Sequence, residues 1–194
     1  MAEQSNSAAD TGVSWGAKVL AGLVAGILAA VLMLGFMMAY SSASGAGATT
    51  LLKALGALIY GVEALVAGSN AIAAGAGIQF GFSILLGILF GLGTSRRTSM
   101  ILELLVGIIV GIAVWVAMEL YVLPFIDPTM AARVELMPIA YFVAHVLFGI
   151  GLGLTSLFVR AFGRSGHHTL IEGRAQSLLT QRHDRGLTRG TSEL

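Results

Sequence analysis

The chain has 194 residues, of which 56% are hydrophobic and 11% charged, and its formal net charge is +1. Soluble domains carry about 25% charged residues, so this composition predicts an integral membrane protein rather than a soluble domain. Cysteine is absent, which excludes disulfides, iron–sulfur clusters and thiol-bound zinc, and no basic run indicates binding to nucleic acid.

Four apolar stretches are long enough to cross a bilayer, which takes about 20 helical residues. They cover residues 19–40, 71–93, 100–123 and 138–159. The predicted fold is therefore an all-α, four-helix membrane bundle over residues 19–160. Residues 1–18 form an N-terminal segment, and residues 161–194 form a basic tail in which 171–182 is a candidate short helix.

Residues 50–68 carry a further helical pattern. Their polar or small positions recur every three or four residues, which places them on one helical face: Lys53, Gly56, Tyr60, Glu63 and Ala67. Apolar residues occupy the other positions: Leu52, Leu55, Ile59 and Val66. This pattern predicts an amphipathic helix that lies on the outer face of the membrane or re-enters it.

The basic residues predict the orientation of the spans. With four spans, nine Lys and Arg residues fall on the side of both termini: Lys18, Arg96, Arg97, Arg160, Arg164, Arg174, Arg182, Arg185 and Arg189. Only Lys53 and Arg133 fall on the other side. Because Lys and Arg are enriched in cytoplasmic loops, we expect both termini in the cytoplasm. The tail then has the charge to contact anionic lipid.

The two halves of the chain resemble one another. At an offset of 85 residues, Gly22, Gly26 and Met33 match Gly107, Gly111 and Met118. At an offset of 62, residues 86–92 match residues 148–154, and Ser83 falls opposite His145. The pattern predicts a 2+2 internal repeat of parallel halves, with residues 50–68 inserted in the first half.

Each predicted span contains two glycines four residues apart. Small residues at this spacing let helix backbones approach closely, and they are a packing signal in membranes. A substrate path lined by glycine is the alternative interpretation. The eight candidate packing residues are Gly22, Gly26, Gly87, Gly91, Gly107, Gly111, Gly149 and Gly153.

The candidate intramembrane polar site consists of His145, Glu119 and Trp115. On a helical wheel His145 shares a face with Gly149, so we expect it to point into the bundle, at a depth comparable to Trp115 and Glu119 on the preceding span. Ionisable groups at such positions are candidate functional residues. For His145 three roles stay open: a structural hydrogen bond, proton or ion handling, and contact with a cofactor or quinone. No metal-ligand spacing such as Glu-x-x-His is present.

The other acidic residues are predicted to be structural. Glu103 is close in sequence to Arg96 and Arg97, which predicts a local salt bridge. The remaining charges near the loops are expected to be solvated: Glu63, Asp127, Arg133 and Glu135.

Three motifs resemble small prokaryotic multi-span proteins of the YagU-like type, a group without an established activity. They are the opening span from Gly22 to Met33, the span with Gly111, Trp115 and Pro124, and the last span with Ala144-His145 before Phe148-Gly149. The resemblance covers most of residues 19–160 and implies a prokaryotic cytoplasmic membrane. Residues 50–68 and the tail have no counterpart in it.

Three functions fit these observations. The first is a non-enzymatic structural or accessory subunit, because packing glycines are abundant and no catalytic constellation is present; its partners are the bilayer and other membrane subunits or further copies of the chain. The second is a small-solute or proton-coupled transporter that uses His145 and Glu119. The third is a cofactor-binding redox subunit with His145 as an axial ligand, although a second ligand is not evident. The leading hypothesis needs no metal or cofactor.

Overall fold

The computed structural model describes residues 14–66, 68–95 and 98–162, apart from the side chain of Thr129. Within these ranges the secondary structure is helical and contains no strand. The α-helices are α1 (Trp15–Ala43), α2 (Thr50–Tyr60), α3 (Ser69–Gly93), α4 (Met100–Ala117), α5 (Leu123–Ile126), α6 (Pro128–Leu136) and α7 (Pro138–Gly153). The predicted helix at 171–182 and nearly all of the basic tail lie outside the described residues.

Four helical stretches are long and apolar enough to cross a membrane, as predicted. They are Trp15–Ala43, Ser69–Gly93, Met100–Ile126 and Pro138–Phe162. Each extends beyond the predicted bounds at one or both ends. The extension of the first span begins at a helix cap, since Ser14 Oγ accepts from the N–H of Ala17 at 3.3 Å. The fourth span begins at Pro138 as predicted, in the first turn of α7, where the missing N–H of proline has no cost.

The third span is continuous but irregular. A π-helical segment, Met118–Val122, joins α4 to α5, and Pro124 lies in the first turn of α5. In this segment the N–H of Leu123 donates to the carbonyl of Met118, five residues earlier. Because Pro124 has no N–H, it cannot continue that pattern to the carbonyl of Glu119. Irregular turns of this kind are frequent at functional sites.

The bundle has two ends. We call the end where α1 begins and α3 finishes the terminal end, and the end that holds α2, α5 and α6 the loop end. The two middle members, α1 and α7, pack on one another, with α3 on the outer side of α1 and α4 on the outer side of α7. The first and fourth spans are accordingly the most buried.

Two glycine seams hold neighbouring spans together. In the first, between α1 and α3, a Cβ on Gly22 would overlap the carbonyl of Gly87, and a Cβ on Gly91 would lie 2.9 Å from the Cα of Gly22. In the second, between α4 and α7, a Cβ on Gly107 would lie 2.8 Å from the Cα of Gly153. Any side chain would separate the backbones, and at each of the eight predicted packing glycines an added Cβ would come within 3.0 Å of the backbone of a neighbouring helix.

The predicted helix at residues 50–68 is wrong in its extent. The α-helix ends at Tyr60, because Gly61 adopts φ 69°, a left-handed conformation that ends helices and suits glycine. A 3₁₀ turn, Val62–Leu65, follows. Along this segment Gly56 is buried against Ala71, whereas Ile59 and Val66 are 61% and 88% exposed.

The loop end contributes to the core. The α2 residues Leu51 and Leu52 are 1% and 6% exposed and belong to the same core cluster as residues of α1 and α7, while α2 itself packs mainly on α3. Asp127, predicted to be solvated, is 5% exposed instead. Its Oδ1 atom accepts from the N–H of Met130 at 3.0 Å, so it caps α6. The sequence Asp127-Pro128 is a typical helix start.

Candidate functional site

One cavity lies inside the loop-end half of the bundle, where all four spans and α2 meet. Its volume is about 80 Å³, enough for several water molecules or one small solute. Most of its wall is apolar, from residues such as Met33, Leu55, Met118 and Phe148. Six polar or amphipathic side chains complete the wall: Gln79, Ser83, Trp115, Glu119, Tyr141 and His145. An apolar cavity with a few converging polar groups is the usual form of a small-molecule site.

His145 points into the bundle and is 9% exposed. Its Nδ1 atom lies 2.8 Å from the carbonyl oxygen of Tyr141, one helical turn earlier. A carbonyl oxygen can only accept, so Nδ1 carries the proton of this bond. In the neutral ring Nε2 is then an acceptor. The backbone therefore fixes the tautomer of His145 and leaves one nitrogen for another partner.

Glu119 lies in the π-helical segment and also lines the cavity. It is partly buried, and within the described ranges it has no hydrogen bond or ion pair. His145 and Glu119 thus share one cavity but are not directly hydrogen-bonded. A bound water or solute is needed to connect them.

Trp115 forms the third predicted member of the site. Its ring packs edge-on against Phe142, with ring centroids 5.2 Å apart. Its buried Nε1 atom has no hydrogen-bond partner among residues 14–66, 68–95 and 98–162. Buried indole N–H groups are usually paired, so Trp115 supplies an unused donor beside the cavity.

Three further polar residues of the site were not among the predicted members. Gln79 Nε2 lies 3.5 Å from both Ser83 Oγ and Met33 Sδ. Tyr141 is 2% exposed, with its hydroxyl 4.0 Å from Met130 Sδ. The repeat alignment relates all three to the other half of the chain: Ser83 falls opposite His145, and at the same offset Gln79 falls opposite Tyr141.

Glu103 lies far from this cavity, near the terminal end. It is 4% exposed, and the residues beside its carboxylate are Ser156 and Arg160 of the fourth span. Arg160 Nη2 also donates to the carbonyl of Thr98 at 2.9 Å. The predicted partners Arg96 and Arg97 lie outside the described residues, so that part of the prediction is not tested. Arg160 was not predicted as a neighbour because it is distant in sequence.

Comparison with family models, with curated proteins and with solved structures finds no match to this chain. The resemblance to YagU-like proteins therefore stays a prediction that rests on its three motifs. Function has to be argued from the cavity itself.

Proposed function

We propose that the chain is a small proton-coupled transporter and that the cavity is its solute site. The observation that carries this proposal is the arrangement of the cavity wall. Residues at matching positions of the two halves face the same space: Met33 and Met118, Gln79 and Tyr141, Ser83 and His145. Transporters built from repeats place their sites at the interface between the repeats.

The close contacts of the two seams support the 2+2 repeat. The Gly22–Gly87 contact has its counterpart in Gly107–Gly149, and the contact of Gly26 with the Ser83 carbonyl has its counterpart in that of Gly111 with the His145 carbonyl. The same two offsets, 85 and 62, relate every member of these pairs. Corresponding contacts in the two halves are what a duplication of one hairpin predicts.

The proposed roles follow from the hydrogen bonds. Glu119 carries the proton, because it is an ionisable group at the cavity wall with no ion pair to fix its charge. His145 has its Nδ1 atom committed to Tyr141, so its Nε2 atom binds the solute or a water that leads to Glu119. The Trp115 indole forms part of the wall against which the same solute lies.

Proton flux into proteoliposomes tests these roles. Vesicles containing the protein and a trapped pH-sensitive dye are given a potassium diffusion potential. We expect the internal pH to change at least tenfold faster than in empty vesicles. Glu119→Gln should reduce the rate to that of empty vesicles, since an amide cannot carry the proton, and His145→Gln should reduce it substantially.

Glu135→Gln is the matched control, because Glu135 is exposed on α6 and does not line the cavity. It should conduct at the wild-type rate. A wild-type rate equal to that of empty vesicles would refute a conducting proton path through the cavity, and an unaffected Glu119→Gln protein would remove Glu119 from that path.

The accessory-subunit hypothesis remains the second candidate. It is supported by the low burial of α3 and α4, whose outward residues include Leu85, Leu89, Ile101 and Ile109. A lipid bilayer can cover such faces equally well, so this support is weaker than that of the cavity. A stable assembly with other proteins after purification in mild detergent would favour this hypothesis. A redox role for His145 predicts a visible absorption band in the same preparation.

The proposed location is a prokaryotic cytoplasmic membrane with both termini inside. Its support is the distribution of charge. Lys18 and Arg160 lie at the terminal end of the bundle, where Lys18 Nζ donates to the carbonyl of Leu92 at 3.3 Å. Seven further Lys and Arg residues of the sequence fall on this side in a four-span topology.

A further inference from the structure

The two outer spans, α3 and α4, differ from the two inner ones in how they meet. The inner spans α1 and α7 pack directly together, and a Cβ on Gly151 would lie 2.5 Å from the Cα of Ala29. By the repeat, α4 and α3 are the counterparts of α1 and α7, yet they do not pack closely on each other. The symmetric contact is missing on this side.

The residues on the facing surfaces explain the difference. The buried face of α1 carries Ala21, Ala25 and Ala29, each 0% exposed. At the offset of 85, α4 carries valine at all three positions: Val106, Val110 and Val114. On α3, which faces these valines, Leu89 is the counterpart of Gly151 at the offset of 62. Larger side chains on both helices hold α3 and α4 apart, because the backbones cannot approach to the distance that alanine and glycine allow.

A groove of about 280 Å³ fills the resulting gap in the terminal-end half. Val106 and Val110 line this groove together with Leu89 and Phe90. Val114, one turn further along the same face of α4, lines the cavity. The groove and the cavity therefore follow one another along the α4 valines, over about 20 Å from Val106 to Glu119 at 1.5 Å per residue.

The two ends of this path differ in chemistry. The groove is apolar where Leu89, Phe90, Val106 and Val110 line it, and Thr94, Thr98 and Glu103 line its terminal end. Leu89 and Val106 are 56% and 41% exposed on the surface that lipid chains would contact. Beside the donor groups of Gln79 and Trp115, the cavity wall carries a set of acceptors: the Glu119 carboxylate, the Ser83 hydroxyl and the free nitrogen of neutral His145. An ammonium group is complementary to this set, and it can also lie over the Trp115 ring.

We infer that the ligand of the cavity is a single-chain amphipathic amine that enters from the bilayer between α3 and α4. Its ammonium group lies among Glu119, His145 and Ser83, and its alkyl chain lies in the groove against Val106 and Val110. This inference rests on the proposed function for the cavity and adds the class of substrate and its route. A fatty acid is excluded as the preferred ligand, because its carboxylate would face the Glu119 carboxylate.

Tryptophan fluorescence can test this inference in lipid nanodiscs. The chain has two tryptophans, and Trp15 is 74% exposed at the start of α1, so Trp15→Phe leaves Trp115 as the only reporter. Dodecylamine should change its emission saturably. Dodecanoic acid should need at least a tenfold higher concentration for the same change, and dodecanol should fall between them.

Two variants test whether the alkyl chain of the amine lies in the groove. Val110→Phe fills the groove and should weaken dodecylamine binding at least tenfold. Ile109→Phe adds the same bulk one residue away, on a side chain that is 64% exposed and lines neither space, and it should bind like the parent. Equal loss in both variants, or binding of dodecanoic acid as tight as that of dodecylamine, would overturn the inference.

The outcome is separable from that of the proton-flux experiment. Saturable amine binding without proton flux would leave the ligand class standing and reject transport. Proton flux without amine binding would support transport and reject the amine as the ligand. A purified protein whose Trp115 responds to no dodecyl compound, with a second chain copy or another protein bound over α3 and α4, would assign the groove to a protein partner and refute the lipid route.

Discussion

Single glycines carry the closest contacts of the molecule. A Cβ at Gly107 would meet the carbonyl of Gly149 and the backbone of Gly153, and a backbone atom in a packed helix cannot move aside as the end of a side chain can. The helix-packing role of these glycines follows from their four-residue spacing. Their pairing across α4 and α7 does not, because spacing within one helix says nothing about the neighbour.

Gly107→Ala should therefore destabilise the bundle by about 1–3 kcal/mol, the range for overpacking a close contact. Thermal unfolding of the purified protein in detergent measures the effect. Gly81→Ala is the control, since Gly81 lies in the middle of α3 with nothing within 4 Å of a new Cβ. It should leave stability unchanged or raise it by no more than about 1 kcal/mol. Equal losses in both variants would mean that backbone freedom, not packing, is being measured.

Among the site residues, the sequence was most informative about His145. Its position one turn from Gly149 predicts that it points inward, and it does. Its hydrogen bond to the Tyr141 carbonyl is local and was one of the open interpretations. Gln79 and Tyr141 were missed because an amide and a phenol in a long apolar span give no pattern of their own; only the repeat alignment relates them.

At the level of helices, α1 and α4 have similar sequences but different neighbours. Glycines at matching positions form both seams, while alanine on α1 and valine on α4 decide which helix also packs closely on its second side. The length and number of the spans could be predicted from hydropathy. The gap between α3 and α4 could not, because both alanine and valine count as apolar residues of a span, and the difference in their size is what separates the two faces.

Replacing alanine by valine on α1 tests this account. Ala29→Val gives α1 the residue that α4 has at the matching position, and its methyl groups would meet the backbone of Gly151. We expect a loss of about 1–3 kcal/mol in unfolding free energy. Ala39→Val makes the same change on an exposed face of α1 and should have little effect. An Ala29→Val protein as stable as the parent would show that the α1–α7 contact tolerates valine.

The shape of the third span illustrates another limit of prediction. Pro124 marks an irregularity in the sequence, but it does not say whether the helix kinks, ends or widens. The structure contains a π-helical segment from Met118 to Val122 and then continues. Val114, Trp115, Met118 and Glu119 line the cavity at the spacing of a regular helix, whereas beyond the π-helical segment the lining residue is Leu123 and not Val122. A helical wheel drawn with a constant 3.6 residues per turn therefore places Glu119 correctly and misplaces Leu123.

For the molecule as a whole, the four spans were predicted and the orientation of the bundle rests on charge alone. The absence of cysteine makes the orientation directly measurable, since any introduced thiol is unique. Val66→Cys lies at the loop end, at a position 88% exposed. Gly16→Cys lies at the terminal end, with nothing within 4 Å of its Cβ.

A maleimide that cannot cross membranes should label Val66→Cys in intact cells and Gly16→Cys only after the membrane is permeabilised. The first thiol serves as the control for the second, because both are exposed in the folded protein. The opposite pattern would place both termini outside. Labelling of both thiols in intact cells would place them on the same side, which requires an even number of crossings between them.

The two glycine seams also bear on the order in which the protein is made. Each seam joins spans that are neighbours in the sequence, so the α1–α3 hairpin has its closest contacts before α4 is synthesised, and the α4–α7 hairpin needs none of the first half to close. Contacts between neighbouring segments form quickly, because little chain entropy is lost in bringing them together. Assembly in the membrane then consists of the association of two folded hairpins. The alanine face of α1 is the surface that the second hairpin contacts.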